Sequence, residues 1–215
     1  MKLAPGSLSW VLVPFVFFLF FLILSIFLKE ILVSVCFFIS IILLLLTGFF
    51  LIFFRDPKRD IGKAIVAPAD GRIREIKNIV DEDIGKCMKI STFMNVYNVH
   101  VNRMPLDGVI KNITHHTGSY LPAYKKESDR NERVILTIKT DIGIIKIVQI
   151  AGTLARRIVS YVKEKDKVKK GDKIGIIKFG SRVDIFLPAD KIKNITVNLN
   201  DRIKAGENTI AEIND

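Results

Sequence analysis

The sequence predicts a mainly β domain, a β-rich sandwich or barrel with a few short helices, preceded by an N-terminal transmembrane helical hairpin. Three observations carry that prediction. Residues 1 to 54 hold only Lys2, Lys29 and Glu30 as charges, whereas the remainder is densely charged. Two unbroken apolar stretches fill the charge-poor region. After them the chain becomes a series of short β-branched runs separated by Gly, Asp and Asn, the pattern of many short strands joined by turns.

The apolar stretches run from Leu8 to Leu28 and from Ile31 to Phe54. Each is near the roughly 20 residues that an α-helix needs to cross a bilayer core. Only Lys29-Glu30 separates them, a link that suits either a tight transmembrane hairpin or a re-entrant pair. The first stretch reads as an anchor, not a cleaved signal, because its basic flank is a single Lys and no small-x-small site follows. Just after the second stretch, Arg55, Lys58, Arg59 and Lys63 cluster, which under the positive-inside rule puts the following domain, residues 55 to 215, in the cytoplasm at the cell membrane.

The 215 residues carry a formal net charge of +11, of which all but about one unit lies beyond residue 54. Dispersed Lys and Arg without interleaved aromatics argue against a nucleic-acid platform, and an anionic lipid surface is the better partner. Cys36 lies in the anchor and Cys87 stands alone, so no disulfide framework arises. No Cys/His spacing suits zinc, and no metal site is expected.

About 160 residues beyond the anchor suffice to bury one core. Candidate strands are AIVAP, GRIREIKNIV, KCMKISTF, VIKNITHH, ERVILTIKT, GIIKIVQIAG, KIGIIKFG, RVDIFLP and KNITVNL. A helix is expected over Ala155 to Lys165, where Ile158, Tyr161 and Val162 share a face. The runs VKKGDKIGII and IKAGENTIAEI share a Gly-acid turn between apolar residues.

Four segments hold residues able to do chemistry. APADGRI places Asp70 before Gly71, an arrangement that also makes an ordinary turn. MNVYNVHVNRMPLDG holds His100 between valines, and HHTGSYLPA begins with His115 and His116. IIKFGSRVDIFLP breaks a strand with Gly180-Ser181, where Gly weakens pairing and Ser adds nothing to a core. Taken alone, each has a bland reading as turn, core residue or bulge.

Their order along the chain, together with FFRDP, NER and QIAGTLARRIV, resembles that of the phosphatidylserine decarboxylase proenzymes. The likeness is greatest to their short, membrane-anchored branch, which includes archaetidylserine decarboxylases, and it runs from about Phe53 to Pro188. The resemblance implies a chain that cuts itself between Gly180 and Ser181 into a β chain of residues 1 to 180 and an α chain of residues 181 to 215. Attack by the Ser181 hydroxyl on the Gly180 carbonyl gives an ester, elimination leaves dehydroalanine, and hydrolysis yields a pyruvoyl group and ammonia. The pyruvoyl cofactor then forms a Schiff base with the amine of a phosphatidylserine-type lipid, phosphatidylserine or archaetidylserine, and takes up the electrons released with carbon dioxide.

The same resemblance gives Asp70 a part in self-cleavage. Longer family members carry a His-x-x-His-Met-Pro pattern, in which His100 matches the first His while Arg103 occupies the place of the second. The base for cleavage therefore stays open among His100, His115, His116 and no imidazole at all. His100 is assigned to protonate the product. Arg103, Arg156 and Arg157 are candidates for the substrate's phosphate or carboxylate.

A rival reading is a non-enzymatic, membrane-tethered β adaptor, because Gly-acid turns recur in lipoyl-like and biotinyl-like domains. A carrier of that kind needs an exposed Lys at a hairpin tip, where this chain has Lys170-Gly171-Asp172 without a Met-Lys-Met signature. Tail chemistry of the lipid and oligomeric state, a homo-oligomer included, are not legible in the sequence.

Overall fold

The computed structural model describes residues 2–29, 31–118, 131–152, 157–178 and 181–214. These fall into two compact units, residues 1–57 and 58–215.

In the first unit, helices α1 (Leu8–Phe27) and α2 (Ile31–Phe53) pack on each other, and strand β1 (Lys2–Leu3) pairs antiparallel with β2 (Arg55–Asp56). That short pairing is why the unit extends past residue 54 to Pro57. Both helices are long and apolar enough to cross a membrane. Two polar side chains of α2 turn back onto the helix itself: the hydroxyls of Ser40 and Thr47 donate to the carbonyls of Cys36 and Leu43, each at 2.8 Å. A hydroxyl satisfied in this way adds little polar surface to an apolar helix.

The second unit is built from β3 (Ile65–Val66), β4 (Gly71–Asp81), β5 (Gly85–Met94), β6 (Val101–Arg103), β7 (Gly108–His116), β8 (Arg133–Thr140), β9 (Gly143–Ile150), β10 (Ile158–Ser160), β11 (Lys167–Val168), β12 (Lys173–Ile177), β13 (Ser181–Pro188), β14 (Ile192–Ile195), β15 (Arg202–Ile203) and β16 (Thr209–Ile213). An eight-stranded antiparallel sheet has the order β11-β7-β8-β9-β13-β5-β4-β15, and two three-stranded sheets have the orders β10-β12-β6 and β14-β16-β3. The mainly β expectation holds.

The expected helix over Ala155 to Lys165 is not formed. Residues 155 and 156 lie outside the described residues, and Ile158–Ser160 is a strand, with Val159 opposite Ile176 of β12. The spacing of Ile158, Tyr161 and Val162 suits a helix face, but the β-branched pair Ile158-Val159 and the open edge of β12 favour an extended chain.

Strand β13 lies in the middle of the large sheet, bonded to β9 on one side and β5 on the other. Val183, Ile185 and Leu187 enter the core with Ile90, Ile145 and Ile147. The opposite face carries Arg182 and Asp184, buried in an ion network: Arg182 Nε lies 3.0 Å from Asp184 Oδ1, and Lys89 Nζ lies 3.2 Å from Asp184 and 3.1 Å from Glu75.

Candidate active site

Two of the segments picked out in the sequence run side by side. The amide of Arg103 donates to the Pro68 carbonyl at 2.9 Å, and the amide of Val66 donates to the Pro105 carbonyl at 3.1 Å. The segment around Asp70 is thereby laced to the segment around His100. Gly71 follows because nothing larger fits: a Cβ there would collide with the Phe93 carbonyl on β5. The Asp-Gly pair is thus a close approach between two strands as well as a turn.

Asp70 is almost fully enclosed. Its carboxylate accepts from the Ala205 amide at 2.8 Å. Arg59 Nη2 lies 2.9 Å from each of its oxygens, and Arg59 Nη1 reaches Glu207 at 2.9 Å. Burial pushes the Asp70 carboxyl above its ordinary range, against the opposing pull of Arg59 and the backbone donors. Arg59, grouped in the sequence with the cations flanking the anchor, is therefore a buried partner of Asp70 with only 4% of its side chain exposed. Eleven residues of separation gave no sign of that pairing.

The His100 ring is fully buried, and its Nδ1 lies 2.9 Å from the Asn98 carbonyl. A carbonyl only accepts, so Nδ1 carries the hydrogen and Nε2 keeps the lone pair. The His100 carbonyl receives the Ile177 amide at 3.4 Å, which ties it to the end of β12, a few residues before Ser181.

Ser181 opens β13 opposite Met94. It is fully buried, and its Oγ makes no hydrogen bond among the described residues. Asn102 reaches the same place, with its Nδ2 3.8 Å from Met94 Sδ, and it accepts a 2.7 Å hydrogen bond from Gln149 Nε2. Asn102 and Gln149 thus put two amides near the start of β13 at the end of an apolar core. Neither Asn102 nor Gln149 was singled out in the sequence; a buried amide within an apolar strand, as in KIVQIAG, is the signal that marks them.

The other candidates are placed as follows. His115 lies on the exposed end of β7 with Nε2 3.1 Å from Glu132 Oε1, and His116 is half-buried opposite Arg133. Arg103 is buried, and its Nη1 donates to the Gly171 carbonyl at 2.9 Å, so it is engaged with a turn. Arg157 is exposed, and its carbonyl accepts from the Lys178 amide at 3.3 Å. Arg156 and Gly180 lie outside the described residues. Lys178, which the sequence reading passed over, is buried; burial and the charge of Arg157 lower its pKa. At the Gly-acid tip, Lys170 Nζ donates to the Ala64 carbonyl at 3.3 Å, so this lysine is held and not presented as a carrier lysine would be.

Fold and site together define a class: a mainly β domain with a buried serine at the head of its central strand. The chain belongs to the phosphatidylserine decarboxylase family, whose model matches residues 46–211. It is 42% identical over 98% of its length to a protein of Methanococcoides burtonii provisionally named an archaetidylserine decarboxylase proenzyme, and covers 96% of that protein. It is 43% identical to a phosphatidylserine decarboxylase proenzyme of Streptomyces avermitilis over 75% of this chain and 70% of the other. A Desulfotalea psychrophila protein of the same name is 40% identical over 84% of this chain and 86% of the other.

Proposed function

We propose that this chain is a proenzyme that cleaves its own Gly180–Ser181 bond and then decarboxylates a phosphatidylserine-type lipid, phosphatidylserine or archaetidylserine, to the ethanolamine lipid. The observation that carries the reading is the Ser181 hydroxyl, buried at the head of β13 with no hydrogen bond among the described residues. A lone buried hydroxyl is costly, and such a group in a core calls for a role.

In self-cleavage the Ser181 oxygen bonds to the Gly180 carbonyl carbon, the C–N bond breaks, and the hydroxyl proton ends on the released nitrogen. Loss of the residue 181 α-hydrogen expels the ester as the carboxylate of Gly180; the resulting enamine tautomerises to an imine, and water adds to the C=N bond and displaces ammonia to leave a pyruvoyl group. A buried serine at a strand end with polar walls fits that group. When formed, its carbonyl supplies the electrophile for the lipid amine and the sink for electrons released with carbon dioxide.

The chain's own residues then bind, orient and move protons. Asp70, on the segment that the Arg103–Pro68 hydrogen bond laces to that of His100, assists self-cleavage. His100, its Nδ1 turned to the Asn98 carbonyl, carries a proton on Nε2 to the carbon that loses carbon dioxide. Arg157 and Lys178 supply positive charge beside the cleavage site and suit an anionic headgroup. Two long apolar helices suit a substrate that stays in the bilayer, and the catalytic unit is assigned to the cytoplasmic face of the cell membrane. The partners this reading calls for are the anionic lipid, the membrane and the two chains of the same proenzyme, and not nucleic acid.

Intact-mass measurement of the purified protein tests the reading. Expected are two chains, the smaller comprising residues 181 to 215 and beginning with a pyruvoyl mass, and Ser181→Ala should abolish both cleavage and decarboxylation. A chain that stays whole, or a Ser181→Ala variant that still decarboxylates, overturns it. The adaptor alternative predicts an uncut chain.

A further inference from the structure

Two buried amides beside Ser181 have no part in the steps above. Gln149 and Asn102 are both completely buried, and apolar neighbours such as Ile147 and Val183 would fill the same core without a desolvation cost. The fold nevertheless makes room for them. Gly175 of β12 lies over Gln149: a Cβ at that position would be 3.0 Å from Nε2 and 3.4 Å from Oε1, and 2.7 Å from the Val159 carbonyl. The absent side chain is a space filled by the amide.

The hydrogen bonding of this pair is incomplete on one side only. Gln149 Nε2 donates to Asn102 Oδ1, while Gln149 Oε1 accepts nothing among the described residues. Ser181 Oγ, a hydroxyl donor, is likewise without a partner there. The sheet register places the two close together. Gln149 stands opposite Val183, and Ser181 is two residues before Val183 on the same face. Such diagonal cross-strand neighbours lie roughly 7–8 Å apart at Cα, within reach of a glutamine side chain. A buried acceptor and a buried donor face the same space, each lacking what the other offers.

We propose that Gln149, braced by Asn102, is a positioning residue for self-cleavage: its Oε1 accepts the Ser181 O–H and so aims the oxygen's lone pairs at the Gly180 carbonyl carbon. The inference rests on the reading of Gly180–Ser181 as the scissile bond. Gln149 takes up no proton and forms no covalent bond; it restricts the rotation of the hydroxyl, and misdirected nucleophiles lose rate steeply.

The test follows the uncut fraction of the full-length protein over time by intact mass. Gln149→Met keeps length and volume but removes the acceptor, and should slow cleavage about tenfold, the worth of one net hydrogen bond. Gln149→Glu keeps an acceptor oxygen, with the Asn102 amide turned to donate, and should cleave within about threefold of the parent. Melting temperatures of both changes in an uncleavable Ser181→Ala background should match, which separates positioning from loss of packing. Parental cleavage by Gln149→Met, or equal slowing by Met and Glu, overturns the proposal. If Gln149→Met does not fold, Asn102→Leu carries the test, since loss of the brace should slow cleavage and an unchanged rate refutes it. A parent chain that never cuts would instead refute the reading of the scissile bond.

Discussion

Arg59 Nη2 sits 2.9 Å from both carboxylate oxygens of Asp70, and neither side chain is more than 9% exposed. A buried pair of this kind is destabilised strongly by removal of one partner, because the other is left as an uncompensated charge. Arg59→Met should therefore lower stability by roughly 3–5 kcal/mol. The double variant Arg59→Met, Asp70→Asn should recover a large part of it. Denaturant unfolding of the four proteins, all carrying Ser181→Ala so that one covalent species is present, checks this; strict additivity would refute the coupling.

The position of β13 leads to a second prediction, about the products of cleavage. Residues 181–188 are hydrogen-bonded to β5 and β9, while β15 pairs with β4 and β16 with β3. Every one of those neighbours lies in the proposed large chain. The two products should therefore co-elute in detergent size-exclusion chromatography and separate only on denaturation. Release of the small chain under native conditions would contradict the central placement of β13.

Acid should weaken the catalytic unit through the charged face of the same sheet. Burial raises the Glu75 pKa, but the hydrogen bonds and charges of Lys77 and Lys89 outweigh it and bring the value to about 2. An unfolded chain binds that proton at the ordinary value of about 4.5. The stabilisation is thus complete above that pH and is lost as pH falls from there toward 2. Asp81 behaves alike, with burial opposed and exceeded by Lys146. In melting curves at about pH 6 and pH 3, Glu75→Gln should show a smaller drop than the parent. An equal drop would place the acid sensitivity elsewhere.

Much of the architecture was legible in the sequence because it depends on local physics. Charge-free stretches of about 20 residues state that they form long apolar helices, and β-branched runs between turn residues state their own conformation. Ser181, Asp70 and His100 were also visible, since Gly-Ser in a strand, Asp-Gly before one and His between valines each break a local pattern. The helix expected over Ala155 to Lys165 failed for the complementary reason: the periodicity of Ile158, Tyr161 and Val162 was local evidence, and pairing with β12 outweighed it.

Composition, the two apolar spans, the mainly β body and the chemistry-bearing residue types were determined by the sequence alone, because propensity and burial pattern act over a few neighbouring positions. Tertiary structure alone decided that Arg59 belongs to Asp70, that Arg103 holds the Gly171 turn, and that Gln149 and Asn102 line the place where Ser181 begins β13. Those pairings span from 11 to 68 residues of sequence. Contacts at such distances are set by sheet register and desolvation in the folded core, which no short window of sequence contains.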